Sequence, residues 1–180
     1  RVDVVSRGVD TRLFDPARRS GSLRRSWGLE PDDLAVVYVG RIAPEKNLAL
    51  LEKAFEAIQV RQPRARLIMV GSGPAMQAMR ARQPQAIFTG PRTGELLAEH
   101  YASGDLFLFP SLSETYGNVV AEALASAMPV VAYRDAAALE LITHRVHGWL
   151  AEPGDEAAFV AGAVSLAESP ELRARTRLAA

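Results

Sequence analysis

Apolar residues gather along this chain into short runs at Ala35 to Val39, Arg66 to Val70, Ala86 to Thr89, Leu106 to Phe109 and Val130 to Ala132. None shows a clean alternation of apolar and polar positions, which is the pattern of strands buried on both faces. Between them the spacing is helical. Leu48, Leu51, Phe55 and Ile58 share one face of a helix over Leu48 to Ile58, and Leu96, Leu97 and Tyr101 mark another over Thr93 to Ser103. A third helix is expected from Asn118 to Ala127. Strand alternating with helix implies right-handed βαβ units and an α/β, doubly wound parallel sheet. Thr93 and Asp155 stand at expected helix N-caps, and Gly148 and Pro153-Gly154 at turns. Val2 to Val5 reads as a further strand, and Glu171 to Ala180 as a polar, Arg-rich helix.

Composition narrows the class. With 180 residues, 48% of them hydrophobic and 23% charged, one globular domain over residues 1–180 is expected. Lys plus Arg and Asp plus Glu both number 21, so no bulk charge draws the chain to nucleic acid or to an anionic membrane. No apolar run approaches the roughly 18 to 20 residues of a membrane span, and no signal-peptide pattern opens the chain. Cysteine is absent, which excludes disulfides and thiolate metal sites. A cytoplasmic setting is the expectation.

Two carboxylates, Glu114 and Glu122, stand eight residues apart across Gly117. Glu114 follows the Leu106 to Phe109 strand at its carboxyl end, where open α/β sheets bind ligands. Glu122 lies one turn into the following helix, and helical side chains lean toward the amino terminus, so both acids can face one ligand. The backbone N–H groups of Gly117, Asn118 and Val119 are donors for a sugar or phosphate between them, and Tyr116 either supports the turn or packs. After the first strand, Gly40-Arg41 and Lys46 share a loop. A guanidinium fork and a compact ammonium can hold a diphosphate and stabilise it as a leaving group. Glu45 is expected to cap the helix that follows.

Each of these residues has a plainer use. Arg41 and Lys46 could be solvated loop charges, Glu114 an acceptor for nearby helix N–H groups, and Glu122 an exposed helix acid. Paired carboxylates also serve glycosidases, but the phosphate-binding surroundings argue against hydrolysis. Gly71-Ser72-Gly73-Pro74 is not a dinucleotide loop, because the third glycine would have to replace Met76. It is expected to be a strand-to-helix turn with Pro74 in the first helical turn. His100, His144 and His147 lack metal-ligand spacing.

Glu114, seven intervening residues and Glu122 together resemble the retaining glycosyltransferases of the GT-B fold, family 4. Val39-Gly40-Arg41 with Glu45-Lys46-Asn47, then Val70-Gly71-Ser72-Gly73-Pro74, Phe88-Thr89-Gly90, Pro110-Ser111 and Pro129-Val130-Val131-Ala132 follow in that family's order, from about Val4 to Asp155. The resemblance implies a Rossmann-like domain, the C-terminal, donor-binding half of a two-domain enzyme whose N-terminal acceptor domain is absent. The start on Arg1 agrees with that expectation, and the Arg-rich terminal helix would lead back to the other half.

By the same resemblance, Arg41 and Lys46 hold the diphosphate, Glu114 contacts the donor sugar, Glu122 the ribose hydroxyls, and Gly90-Pro91-Arg92 the base. Ser6-Arg7-Gly8-Val9-Asp10 with Phe14 and Pro16 is similar to mannosyltransferases using GDP-mannose and to sulfoquinovosyl-type enzymes using UDP-sugars. The implied reaction is metal-independent, cofactor-free transfer with retention to a lipid or saccharide, the full-length protein working in the cytoplasm or peripherally at the membrane's inner face. A sugar-nucleotide epimerase and a non-catalytic nucleotide-binding module remain as alternatives. Two positions depart from the family. Ala127 replaces a usual glycine at a helix C′ position, costly if its φ is positive, and Ala136-Ala137-Ala138 stands where a glycine pair is common.

Overall fold

The computed structural model describes residues 8–111 and 118–179. Six parallel strands form one sheet among them, in the order β3-β2-β1-β4-β5-β6: β1 (Ala35–Val39), β2 (Arg66–Val70), β3 (Ile87–Gly90), β4 (Leu106–Phe109), β5 (Val130–Tyr133) and β6 (Gly148–Ala151). The helices are α1 (Gly21–Ser26), α2 (Leu48–Arg61), α3 (Met76–Arg82), α4 (Gly94–Ser103), α5 (Asn118–Ala125), α6 (Ala136–Leu141), α7 (Glu156–Glu168) and α8 (Pro170–Ala179).

Burial on both faces explains why the strands are apolar without alternation. Val36, Tyr38, Leu67, Met69, Leu106, Leu108 and Val131 point to the face covered by α2, α3 and α7, where Leu51, Phe55, Met79, Phe159 and Leu166 meet them. Val37, Val39, Ile68, Val70, Phe107 and Val130 face Trp27, Ala98, Tyr101, Val120 and Leu124 on the opposite side. The chain runs outward from β1 through β2 to β3, then returns to β4 on the other side of β1. This reversal opens a crevice at the carboxyl ends of β1 and β4.

The opposite edge of the sheet is tied by charge. Asp105, just before β4, is buried and accepts from Arg19 Nη2 (2.7 Å), Arg24 Nη1 (2.8 Å) and the Ala35 N–H (2.8 Å). Arg177 of α8 stands 3.4 Å away. Segments from both ends of the described chain are thereby held to the amino edge of the sheet.

Several expectations need correction. β6 begins at Gly148, which was expected to mark a turn. Pro74 precedes α3, whose N-cap is Ala75. Leu96 is 56% exposed on α4, outside the buried face that holds Ala98 and Tyr101. Thr93 occupies the N-cap position of α4 without a side-chain cap bond, whereas Asp155 accepts from the Ala158 N–H at 2.9 Å. Ala127 has φ 53°, as feared from its sequence position, because α5 ends in a Schellman turn: the Met128 N–H bonds the Ala123 carbonyl and the Ala127 N–H that of Leu124. The Val2 to Val5 strand lies outside the described residues. No helix among the described residues is long and apolar enough to cross a membrane.

Candidate functional site

Loops after β1, β2 and β3 are laced together at the carboxyl edge. The Gly40 N–H donates to the Val70 carbonyl (3.0 Å), the Ile42 N–H to Ser72 (2.9 Å), the Ala75 N–H to Ile42 (3.0 Å) and the Gly71 N–H to Gly90 (3.0 Å). Gly71 has φ 142°, and a Cβ there would collide with the Gly40 carbonyl; one on Gly73 would collide with that of Ile42. Only glycine lets these loops pack so closely. The function of the Gly71-Ser72-Gly73 turn is therefore to support the Arg41 loop.

That loop is a built platform. The Tyr38 hydroxyl donates to the Arg41 carbonyl at 2.9 Å, and a 3₁₀ turn over Pro44–Lys46 leads into Asn47. Asn47 is left-handed at φ 52°, and its Nδ2 donates to the Pro110 carbonyl at 3.3 Å. This bond spans the crevice, joining the end of β1 to the end of β4. The sequence reading missed it. Its only signal was an asparagine directly before a helix, the non-glycine residue that tolerates the left-handed region best.

Arg41 is exposed and pairs with Glu45 at 3.3 Å, with side chains 65% and 51% exposed. Glu45 thus binds Arg41 instead of capping α2, whose N-cap is Asn47. An exposed pair of this kind contributes little, roughly 0.2–1 kcal/mol, so an incoming anion can displace the carboxylate. Lys46 is half-buried at the end of the 3₁₀ turn, on the same loop.

Glu114, Tyr116 and Gly117 lie outside the described residues. α5 starts at Asn118, exposed, with Val119 half-buried and Glu122 half-buried one turn on. Burial pushes the Glu122 carboxyl above its ordinary value, while the Tyr101 hydroxyl of α4 partly offsets that rise. Gly90, with φ 76°, leads to Pro91 and Arg92, both exposed just before α4. The described candidates therefore belong to the ends of β1 and β3 and the start of α5, around one edge of the sheet.

The histidines do other work. His100 is buried in α4 with Nδ1 2.6 Å from the Leu96 carbonyl and its ring against Trp27, and burial lowers its pKa. His144 accepts from the Leu150 N–H at 3.1 Å. Among the described residues no group of three or more His, Cys, Asp or Glu is placed to hold a metal.

A family model described as "Glycosyl transferases group 1" matches residues 33–169. The chain belongs to that family. A sulfoquinovosyl transferase of Arabidopsis thaliana is 40% identical over 157 residues, covering 83% of this chain and 30% of that protein. A GDP-mannose-dependent alpha-mannosyltransferase of Mycobacterium tuberculosis is 40% identical over 156 residues, 86% of this chain and 39% of that protein. The chain thus spans about a third of the length of these relatives.

Among solved structures, the C-terminal domain of a glycosyl transferase group 1 family protein from Francisella tularensis superposes with a TM-score of 0.83 at 22% identity, covering 96% of this chain and 94% of that one. The Anabaena protein HepE, solved with UDP and glucose, gives 0.77 at 25% identity over 96% of this chain and 49% of its own. The GT-B, Rossmann-like expectation for the fold stands.

Proposed function

We propose that this chain is the donor-binding domain of a retaining glycosyltransferase, taking a nucleoside diphosphate sugar, with GDP-mannose the first candidate, into the crevice between β1 and β4. The observation that carries the reading is the Asn47 to Pro110 bridge, which sets the Arg41 and Lys46 loop beside the carboxyl end of β4, at the switch point of the sheet. Relatives named as GDP-mannose-dependent support the donor, and the family favours transfer over the epimerase alternative. The match in extent to an excised C-terminal domain supports a two-domain whole, in which an N-terminal half supplies the lipid or saccharide acceptor.

In this mechanism Arg41 and Lys46 neutralise the diphosphate and stabilise the charge that grows on it as the glycosidic bond breaks. A diphosphate oxygen helps to take the acceptor proton on the face that the leaving group vacates, which gives retention. Glu114 holds sugar hydroxyls, Glu122 the ribose, and the backbone N–H groups of Gly117, Asn118 and Val119 bind sugar or phosphate. Gly40 lets the donor approach the β1 loop, while Gly90, Pro91 and Arg92 border the base and Tyr116 supports the turn. No metal or cofactor enters.

Titration calorimetry of the chain with GDP, UDP and GDP-mannose in EDTA tests this. Binding of at least one without metal is expected, weakened roughly ten-fold or more by Arg41→Ala or Lys46→Ala, as for loss of a charge-assisted hydrogen bond. Failure to bind any of them, or binding only with added magnesium, would overturn the assignment.

A further inference from the structure

We propose that Asn47 is a positioning residue for Lys46: its side chain, bonded to the Pro110 carbonyl at the end of β4, sets the turn that ends on Lys46 and so the place of that ammonium against the second phosphate of the donor. The inference rests on the diphosphate role given to Arg41 and Lys46 above.

Asn47 breaks two local rules at once. An asparagine that opens a helix ordinarily lies in extended backbone and turns its side-chain oxygen to the N–H groups of the first turn. Asn47 is the N-cap of α2, yet its backbone is left-handed at φ 52° and ψ 45°, and its side chain makes no capping bond. Its Nδ2 donates instead to the Pro110 carbonyl at 3.3 Å, 63 residues away in sequence. A left-handed backbone and a forgone cap bring no local gain. Such local conflicts gather where a residue is placed for a site.

The two ends of the Arg41 loop are held differently. At the Arg41 end, the Tyr38 hydroxyl grips the Arg41 carbonyl, and Ile42 is bonded through both its N–H and its carbonyl to the loop after β2. At the Lys46 end, the Lys46 N–H donates to the Ala43 carbonyl (3.0 Å) and the Asn47 N–H to that of Pro44 (3.3 Å), both within the loop itself. The Asn47 side chain ties this turn to a different strand. α2 has its own anchor, since Leu48, Leu50 and Leu51 are buried in the core. Loss of the bridge therefore spares the helix and loosens the turn before it. An ammonium is a compact point charge, so what it contributes at a phosphate depends on where the turn holds it.

Asn47→Gly keeps the left-handed backbone and removes the side chain. Calorimetry with GDP and with GMP, on wild type, Asn47→Gly, Lys46→Ala and the double variant, gives the ratio of the two affinities, which measures what the second phosphate adds. In Asn47→Gly that ratio should fall roughly 3- to 10-fold, the scale of one misplaced hydrogen bond to a charged group. In the Lys46→Ala background the same substitution should leave it within about two-fold, because the two residues act as a unit. A residue that merely supports the fold weakens both ligands together, with or without Lys46. An unchanged ratio in Asn47→Gly, or an equal fall in both backgrounds, therefore overturns the proposal.

Lys46→Ala separates this from failure of the diphosphate reading. If Lys46→Ala leaves the ratio unchanged, it is the diphosphate assignment that falls, and this inference falls with it. Should Asn47→Gly prove unfolded, a second readout keeps Asn47 in place. The sequence holds two asparagines, Asn47 and Asn118, so nitrogen-15 asparagine labelling yields two side-chain amide pairs, and the pair that survives Asn118→Gln belongs to Asn47. Its bridging proton should exchange with solvent more slowly than that of a free asparagine amide. Seating Lys46 on the second phosphate orders the turn, so GDP should slow the exchange further and GMP should not. Exchange at the unprotected rate, or an equal response to both nucleotides, refutes the link between Asn47 and Lys46.

Discussion

Replacing Asp105 by Asn should cost stability without touching nucleotide binding. The substitution keeps the shape of the side chain and removes the one charge that Arg19, Arg24 and Arg177 surround. Arg24 is the decisive partner, because its side chain is 5% exposed and cannot turn to water. Breaking a buried pair by removing one member costs roughly 3–5 kcal/mol. The low end applies: Arg19 and Arg177 are 31% and 26% exposed, and Arg24 keeps the Ser103, Pro31 and Asp33 carbonyls.

About 3 kcal/mol, at roughly 2–4 °C per kcal/mol for a chain of this size, lowers Tm by about 6–12 °C. Urea unfolding followed by circular dichroism gives the free energy, and the pH dependence gives the cause. Burial alone would raise the Asp105 carboxyl, but the Arg19 and Arg24 charges and the Ala35 N–H outweigh it and hold the folded value below the usual one. The stabilisation is therefore complete above the unfolded value of about 3.9 and is lost as pH falls through the lower folded value. The gap between wild type and Asp105→Asn should be constant near neutrality and close only in acid. A variant within 1 kcal/mol of wild type at pH 7, or a gap that persists in strong acid, would refute the reasoning.

Ala127→Gly should stabilise the chain by about 0.5–1 kcal/mol, read as a higher urea midpoint at unchanged slope, since φ 53° strains alanine at the end of α5; a fall in the midpoint would contradict the Schellman geometry. Gly73→Ala should do damage of two kinds, losing roughly 1–3 kcal/mol and weakening GDP binding, because its Cβ meets the backbone of Ile42 beside Arg41. An alanine variant with wild-type affinity would separate the two loops functionally.

How much of this was legible depended on whether the cause was local. β1, β2 and β4 were readable to the residue because burial on both faces leaves an apolar run with sharp ends. β6 was not. Gly148-Trp149-Leu150-Ala151 carries no β-branched residue and begins with a glycine, and that glycine is there because a Cβ would strike the Val130 carbonyl of the neighbouring strand. Leu96 fits the helical spacing of α4, but no described residue covers it there, and spacing alone cannot tell a covered face from an uncovered one. Arg41 and Lys46 were found by their position after β1, a local rule, whereas the Asn47 to Pro110 bond joins elements whose adjacency is set by strand order.

Charge balance hid the most consequential contact. Equal totals of acidic and basic residues say nothing about Arg19, Arg24, Asp105 and Arg177, which come from three separate segments of the chain and meet only because β4 returns beside β1. In a doubly wound sheet the two strand ends separate two tasks. At the amino ends, side chains from α8 and from the segment around α1 are recruited to one buried carboxylate, and the contact serves cohesion. At the carboxyl ends, glycine contacts fill the space that side chains would occupy and leave Arg41 exposed in a weak pair, so the edge is ordered in its backbone while its charge remains open to a ligand. The contrast between Asp105→Asn, losing stability alone, and Gly73→Ala, losing stability and affinity together, measures that division.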